Sequence, residues 1–426
     1  MKVEVEDISK VEKRVEIEVP AERVDDEIEE QYQELKNTAQ VKGFRAGKAP
    51  RKILERLFKD YVSEAVIKKL VEETLETALS RKGIEPVVAP VIDRSELTPG
   101  AAYLYTSHVE VRPEVEVAEY KGLVITHKDE TVKDEDVDQA VARLRESVAL
   151  VKEPETLRPV KMDDLVTAEV SIKEGDQELK PGDKPEEDIE MWRETWIPGL
   201  KDRLIGRGVG DTVAFAAEAP DNDEVPAAFK GKKLEFSFVI KGIKERILPE
   251  LNDEFAKEYT KHETLEELKK SFRENLAERT RIGNKNRLES AVLEALIAKN
   301  PVEVAPTLVK RQALDMAKEF MARATRRQPR DEEAEQFASA FVEEAKRTFQ
   351  ANYLLEAVGK KEGLEAPDEE VEERIKQDAE KIGMHPDKYK ARFGDIINAA
   401  TKRQVVLDKA LDFLVRNATI KEETEK

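Results

Sequence analysis

Apolar residues along the chain change period several times, and each change marks an element. Val11, Val15, Ile17 and Val19 occupy odd positions among charged neighbours, the two-residue period of a half-buried strand. Val24, Ile28, Tyr32 and Leu35 then recur at helical spacing. A second helical run follows at Val62, Val66, Leu70, Leu75 and Leu79, with Gly83 placed to cap it. The two-residue period returns at Tyr103, Tyr105, Ser107, Val109 and Val111. Residues 1–112 thus predict an α+β unit, a small sheet packed by two helices.

Residues 113–159 carry a short helical pattern at Val137, Val141, Leu144 and Val148, closed by Pro154 and Pro159. They read as a linker arm packing with the C-terminal domain. Composition then shifts, since residues 160–245 hold 8 of the 18 glycines and the longer stretch 255–426 holds 5. Alternation over Leu165–Ile172, Val213–Ala217 and Leu234–Ile240, broken by glycine and proline turns, predicts a β-rich domain at 160–245. From Leu265 helical spacing dominates, through Leu268, Phe272 and Leu276 to Leu288, Val292 and Leu296, and later Phe337, Phe341, Phe349 and Tyr353. Pro301, Pro306, Pro329, Pro367 and Pro386 divide this stretch into separate helices. The expected fold is multidomain α+β: an α+β domain at 1–112, and a β-rich domain at 160–245 inserted into an extended all-α domain at 246–426.

Composition narrows the function classes. Charged residues are 39% of the 426, and no stretch approaches the roughly 20 apolar residues of a membrane-spanning helix. The start alternates acid and valine and lacks the apolar block of a secretory signal, so a cytoplasmic protein is expected. The absence of cysteine excludes disulfides, thiolate metal sites and thiol nucleophiles. His108, His127, His262 and His385 lie far apart in the chain, with none of the spacings of a metal site. Gly206, Gly208 and Gly210 precede a strand pattern, so they read as a turn and not as a phosphate loop. The run Asp221–Glu224 lacks the glycine and closing glutamate of a calcium loop and reads as a solvated turn. No cofactor and no metal are expected.

Net charge is −19, which disfavours nucleic acid unless cations are concentrated locally. They are concentrated at residues 42–59. Lys42, Arg45, Lys48, Arg51, Lys52, Arg56 and Lys59 face the single acid Glu55, a local balance of +6. Gly43 and Gly47 bracket Phe44 and Arg45, which permits a tight turn presenting an aromatic ring and a guanidinium together, and Pro50 can open the next helix. An ordinary solvated helix start is the simpler reading, but cations there oppose the helix dipole, which favours an external anion.

The run Gly43, Phe44, Arg45, Ala46, Gly47, Lys48, Ala49, Pro50 resembles the GFRxGKxP signature of bacterial trigger factor, a ribosome-associated chaperone family. The resemblance extends along the chain, through RPEVEV near residue 112, WIPGLKDRLIG at 196–206 and LPELNDEFAKEY at 248–259. It implies an N-terminal ribosome-binding domain whose residues Gly43, Phe44, Arg45, Gly47 and Lys48 dock on the large ribosomal subunit near the exit tunnel. Many relatives carry lysine where this chain has Ala46, so docking is expected to survive but weaken. It also implies that 160–245 is an FKBP-like prolyl isomerase-type domain and 246–426 a substrate-binding domain for nascent and unfolded chains.

An FKBP-type site needs no nucleophile, because it desolvates a prolyl amide in a shaped pocket and favours its twisted state. Matched on Ile197, Pro198 and Gly199, the family's pocket positions fall on Val170, Leu179, Lys180, Ile189, Ile197, Leu200, Glu224 and Phe236. Only Ile197 and Phe236 keep the usual type, and Lys180 stands where an acid is common. The expectation is therefore an ATP-independent holdase carrying an isomerase-type domain of reduced activity. The alternative is a fully active prolyl isomerase whose main role is catalysis. A homodimer away from the ribosome would suit the family. Met316, Phe320, Met321, Phe337 and Phe341 each read as ordinary helix-packing core.

Overall fold

The computed structural model describes the chain except residues 43, 45, 46, 176, 180–185, 224 and 423–426, and the side chains of Glu178, Asp395 and Glu422. It divides into two compact units, one built from Met1–Lys128 with Lys285–Lys426 and the other from Asp129–Asn284. The stretch 113–159, read from sequence as a single arm, is split between them.

The first unit opens with β1 (Lys2–Asp7), β2 (Glu12–Val19), α1 (Ala21–Thr38), α2 (Arg51–Lys82), β3 (Val91–Arg94), β4 (Tyr103–Glu110) and β5 (Val124–His127). The first four strands form an antiparallel sheet in the order β1-β2-β4-β3, with Val15, Ile17 and Val19 of β2 opposite Ser107, Tyr105 and Tyr103. Alternation places these side chains on one face, where Val24, Ile28 and Tyr32 of α1 and Val62, Val66 and Leu70 of α2 close the core. The α+β unit expected from sequence is present. Strand β1 gave only a weak signal, because of its alternating Val3 and Val5 only Val3 is partly covered, at the margin of the core. Gly83 caps α2 in the left-handed conformation at φ 65°, its N–H donating to the Leu79 and Ser80 carbonyls. Burial pushes the Tyr105 hydroxyl up to about 12, partly offset by its 2.7 Å hydrogen bond with Thr74.

The second unit contains α3 (Asp134–Ser147), β6 (Leu150–Lys152), β7 (Asp164–Glu174), β8 (Gln177–Glu178), β9 (Glu186–Glu190), α4 (Leu200–Leu204), β10 (Thr212–Glu218), β11 (Lys233–Ile247) and α5 (Asp253–Tyr259). Its antiparallel sheet runs β10-β11-β7-β8, with β9 also pairing β7 and β6 pairing the end of β11. Inward-facing residues of β7 and β11, among them Val166, Ala168, Val170, Phe236, Phe238 and Ile240, pack against Met191, Leu200 and Leu204. A smaller cluster joins Phe255, Ala256 and Leu268 to Leu144 of α3 and to Val148 just after it. Helix α6 (Leu265–Lys299) supplies residues to this unit up to Asn284 and to the first unit beyond it.

The first unit resumes with α7 (Pro306–Thr325), α8 (Asp331–Ala338), α9 (Val342–Lys361), α10 (Asp368–Lys381), α11 (Pro386–Asn417) and β12 (Thr419–Glu422). Prolines stand at the starts, with Pro306 and Pro386 opening α7 and α11 and Pro367 preceding α10. Strand β12 pairs in parallel with β5, so the last described residues return to the arm. Val117, Tyr120, Leu123 and Ile125 of that arm share a core with Val292 and Leu296 of α6, Leu354 and Val358 of α9 and Leu414 of α11. Asn300, buried after the end of α6, fastens it further. Its Oδ1 accepts from the Ala118 and Glu119 amides at 3.0 and 3.3 Å, and its Nδ2 donates to the Glu119 and Leu296 carbonyls at 2.8 and 3.0 Å.

Candidate functional site

Helix α1 ends at Thr38 and α2 begins at Arg51, and the basic turn lies between them. Val41 and Ala49 are buried in the N-terminal core and anchor its two ends. The Phe44 amide donates to Val41 at 3.0 Å and the Gly47 amide to Lys36 at 3.1 Å, with Gly47 at φ 78°, a conformation a side chain would strain. Phe44 is left 43% exposed, unusual for a large apolar ring held in a tight turn. Gly43, Arg45 and Ala46 lie outside the described residues.

The cations divide into two groups. Arg51 is engaged internally: Nε donates to Glu55 at 2.8 Å, Glu29 lies 3.3 Å away, and the guanidinium sits 3.5 Å over the Tyr32 ring. Lys42, Lys48, Lys52, Arg56 and Lys59 are exposed, and none is paired with an acid among the described residues. The first turn of α2 contains no acid, and Pro50 supplies no side-chain cap. Helix amides, lysines and an exposed ring thus face the same solvent, an arrangement suited to an anionic surface with an apolar recess.

In the β domain, Ile197, Pro198 and Gly199 form the turn that starts α4, with Gly199 at φ 68° and its carbonyl accepting from Arg203 at 2.7 Å. Of the expected pocket positions, Val170, Ile197, Leu200 and Phe236 are buried in the core, while Leu179 and Ile189 are only partly covered at its margin. Lys180 and Glu224 lie outside the described residues. Sequence matching missed an aromatic set at the same core: Trp196 stacks on Phe229 at 5.5 Å and meets Phe236 edge-on at 5.9 Å, and Phe215 stacks on Phe236 at 5.4 Å. Trp196, Phe215 and Phe229 are partly exposed. The alternation of Val213, Phe215 and Ala217 in β10, and Trp196 beside Ile197, were the available signals. Aromatic faces are therefore present in the domain, gathered around the matched Phe236 by Trp196, Phe215 and Phe229, which the motif matching did not place.

Gly206 and Gly210 adopt positive φ immediately before β10, as a turn should. His385 caps α11, its Nδ1 accepting from the Asp387 amide at 3.3 Å. Among the described residues no group of three or more potential ligands is arranged to hold a metal, and no helix is long and apolar enough to cross a membrane. Met316 and Phe341 pack in a core with Val309 and Tyr353. Phe320 and Phe337 do not conform to the core reading, being 57% and 50% exposed.

Fold and turn together define a multidomain α+β protein with a cationic segment and an exposed aromatic ring on its N-terminal part and a long helical portion bearing exposed apolar side chains. A family profile described as bacterial trigger factor protein matches residues 1–144, and one described as its C-terminus matches residues 264–416. Trigger factor of Geotalea daltonii is 33% identical over 100% of this chain and 99% of its own length. That of Geobacter metallireducens is 31% identical over 98% of each. A solved trigger factor chaperone, described for promiscuous substrate recognition in folding and assembly, aligns over 98% of this chain and 99% of its own at 22% identity and a TM-score of 0.44. The chain belongs to the trigger factor family of chaperones. Membership implies interaction with ribosomes and nascent chains.

Proposed function

We propose that this chain is a cytoplasmic chaperone that docks through its basic turn beside the polypeptide exit tunnel of the large ribosomal subunit and holds emerging chains without nucleotide. The observation that carries the reading is Phe44, exposed in a turn whose ends are anchored in the core, beside unpaired Lys42 and Lys48 and an acid-free helix start. Phe44 supplies an apolar anchor, Arg45 a charge-assisted contact to carboxylate or phosphate, and Lys48 further field, with Gly43 and Gly47 permitting the turn. Client holding is assigned to residues 246–426 together with 1–112, supported by exposed Phe320, Phe337 and Ile396 on the helices and Ile382 in the turn after α10. Weak contacts spread over many such positions release a client without a motor. A homodimer away from the ribosome would cover part of this apolar surface.

Residues 160–245 act in this reading as an FKBP-like domain of reduced isomerase activity, because four of its motif-matched pocket positions are core residues and four of the eight are aliphatic where relatives use aromatics. The partly exposed Trp196, Phe215 and Phe229 set the residual capacity for a prolyl ring. The test of the main reading is co-sedimentation with ribosomes. The triple variant Phe44→Ala, Arg45→Ala, Lys48→Ala is expected to remain folded and to lose pelleting, and unaltered pelleting of the folded variant would sink the docking assignment.

A further inference from the structure

Away from the aromatic core of the β domain, a cavity opens between α3, β6, the turn after β9 and the end of β11. Arg143, Glu146, Ala149, Val151, Trp192 and Arg246 are among its walls. Arg246 is the unusual member. Its side chain is 7% exposed and its guanidinium stacks on Trp192 at 4.5 Å, yet it donates one long hydrogen bond, 3.4 Å to the Glu146 carbonyl. The Glu146 carboxylate stands 3.9 Å away, beyond hydrogen-bond reach, and is itself 58% exposed. A guanidinium has five donors in a planar fork, and those of Arg246 that make no hydrogen bond keep contact with the solvent of the cavity, open to an acceptor that enters it. Groups of this kind are ordinarily matched bidentately by an oxyanion. Arg143, exposed at the mouth, has no acidic partner among the described residues.

We propose that this cavity is a second polypeptide-binding site of the β domain, one that captures a single carboxylate of an extended acidic–apolar segment. Arg246 holds the carboxylate in its fork, Arg143 adds attraction at the mouth, and the neighbouring apolar residue packs on Val151, Leu248 and the edge of Trp192. The wall chemistry selects carboxylate over phosphate. Glu146, Asp163 and Glu190 also line the cavity, with Glu190 2.6 Å from Arg193, so a doubly charged group meets repulsion that a single carboxylate largely escapes. That the carboxylate is carried by a polypeptide rests on the chaperone reading; its capture by Arg246 does not.

The experiment titrates the full chain with acetyl-Leu-Glu-Leu-amide, following the indole N–H signals of the two tryptophans by NMR, assigned with Trp196→Phe. The Trp192 signal is expected to shift saturably, and acetyl-Leu-Gln-Leu-amide is expected to bind at least tenfold more weakly. Arg246→Lys, which keeps the charge but loses the fork, should weaken the acidic peptide about tenfold, and Arg143→Gln, on the surface and neutral to folding, several-fold. No saturable shift, equal binding of the glutamine peptide, an unaffected Arg143→Gln variant, or tighter binding of inorganic phosphate would each overturn the proposal. Suppression of client aggregation, measured on the same samples, separates failure of this site from failure of the chaperone reading.

Discussion

The guanidinium of Arg51 lies 3.5 Å over the ring of Tyr32, with Glu55 accepting from its Nε at 2.8 Å. This contact ties the start of α2 to α1 directly behind the basic turn, and it separates cations that hold the turn from cations that face solvent. Arg51→Gln is expected to destabilise the N-terminal part by about 1–2 kcal/mol, combining a lost cation–π contact and a partly covered ion pair. Lys48→Ala should leave the melting temperature unchanged and lower ribosome affinity. Reversal of these two effects in paired melting and pelleting measurements would show that the division of labour is wrong.

Ribosome affinity should fall steeply with salt. The exposed Lys42, Lys48, Lys52, Arg56 and Lys59 supply attraction that a chain of net charge −19 otherwise lacks. Binding measured between low and high ionic strength is expected to weaken by more than tenfold. A flat profile would assign the affinity to Phe44 and apolar contact alone.

Asp164 is buried at the start of β7, where Arg158 donates to both its carboxylate oxygens at 2.6 and 2.8 Å. Burial opposes its charge, but the Arg158 fork and the Lys161 amide outweigh burial and hold the carboxyl below its usual range. A carboxyl lowered in the folded state contributes stability that is complete above its unfolded value of about 3.9 and is lost as pH falls through the folded value. Asp164→Asn should therefore cost about 3 kcal/mol at neutral pH, because Arg158 loses its main partner, and should flatten the acid limb of the stability profile below pH 4. Denaturant titrations of the two proteins from pH 7 to pH 2 test both statements.

Asp164 is also the direct cross-strand neighbour of Glu245, so the two ends of the β domain emerge side by side. Excision of residues 160–245 across a short linker is expected to leave the rest folded, with suppression of client aggregation retained. A folded excision variant that no longer suppresses aggregation would move client holding into the β domain.

Isomerase turnover on short prolyl peptides should be well below that of a relative with an aromatic-walled pocket, and Trp196→Ala should remove most of what remains, since it takes away the ring stacked on Phe229 and angled against Phe236. A chymotrypsin-coupled or NMR exchange assay reads both. Turnover equal to such a relative would restore the fully active alternative.

Much of the fold was legible because periodicity reports which face a segment buries. The alternation of Val15, Ile17 and Val19, the helical spacing of Val62, Val66 and Leu70, and the prolines at 306, 367 and 386 each act within a few residues of themselves, so local sequence encodes them. Strand β1 left only a weak pattern because this edge strand covers just Val3 of its two valines. The charge, glycines and signature of residues 42–50 likewise marked the basic segment without coordinates.

By itself, then, the sequence determined the longer periodic elements, their class, the family and the position of the basic segment. Only the tertiary structure decided which side chains share an environment. It divided the arm at Lys128, paired β12 with β5, set Asn300 against the Ala118 and Glu119 backbone, and gathered Trp196, Phe215, Phe229 and Phe236 from separate segments. It also engaged Arg51 internally, over the Tyr32 ring, and set the Arg246 guanidinium on Trp192. These outcomes depend on contacts between residues tens to hundreds of positions apart, whose partners are chosen by packing and burial of the whole chain, and no local period records that choice.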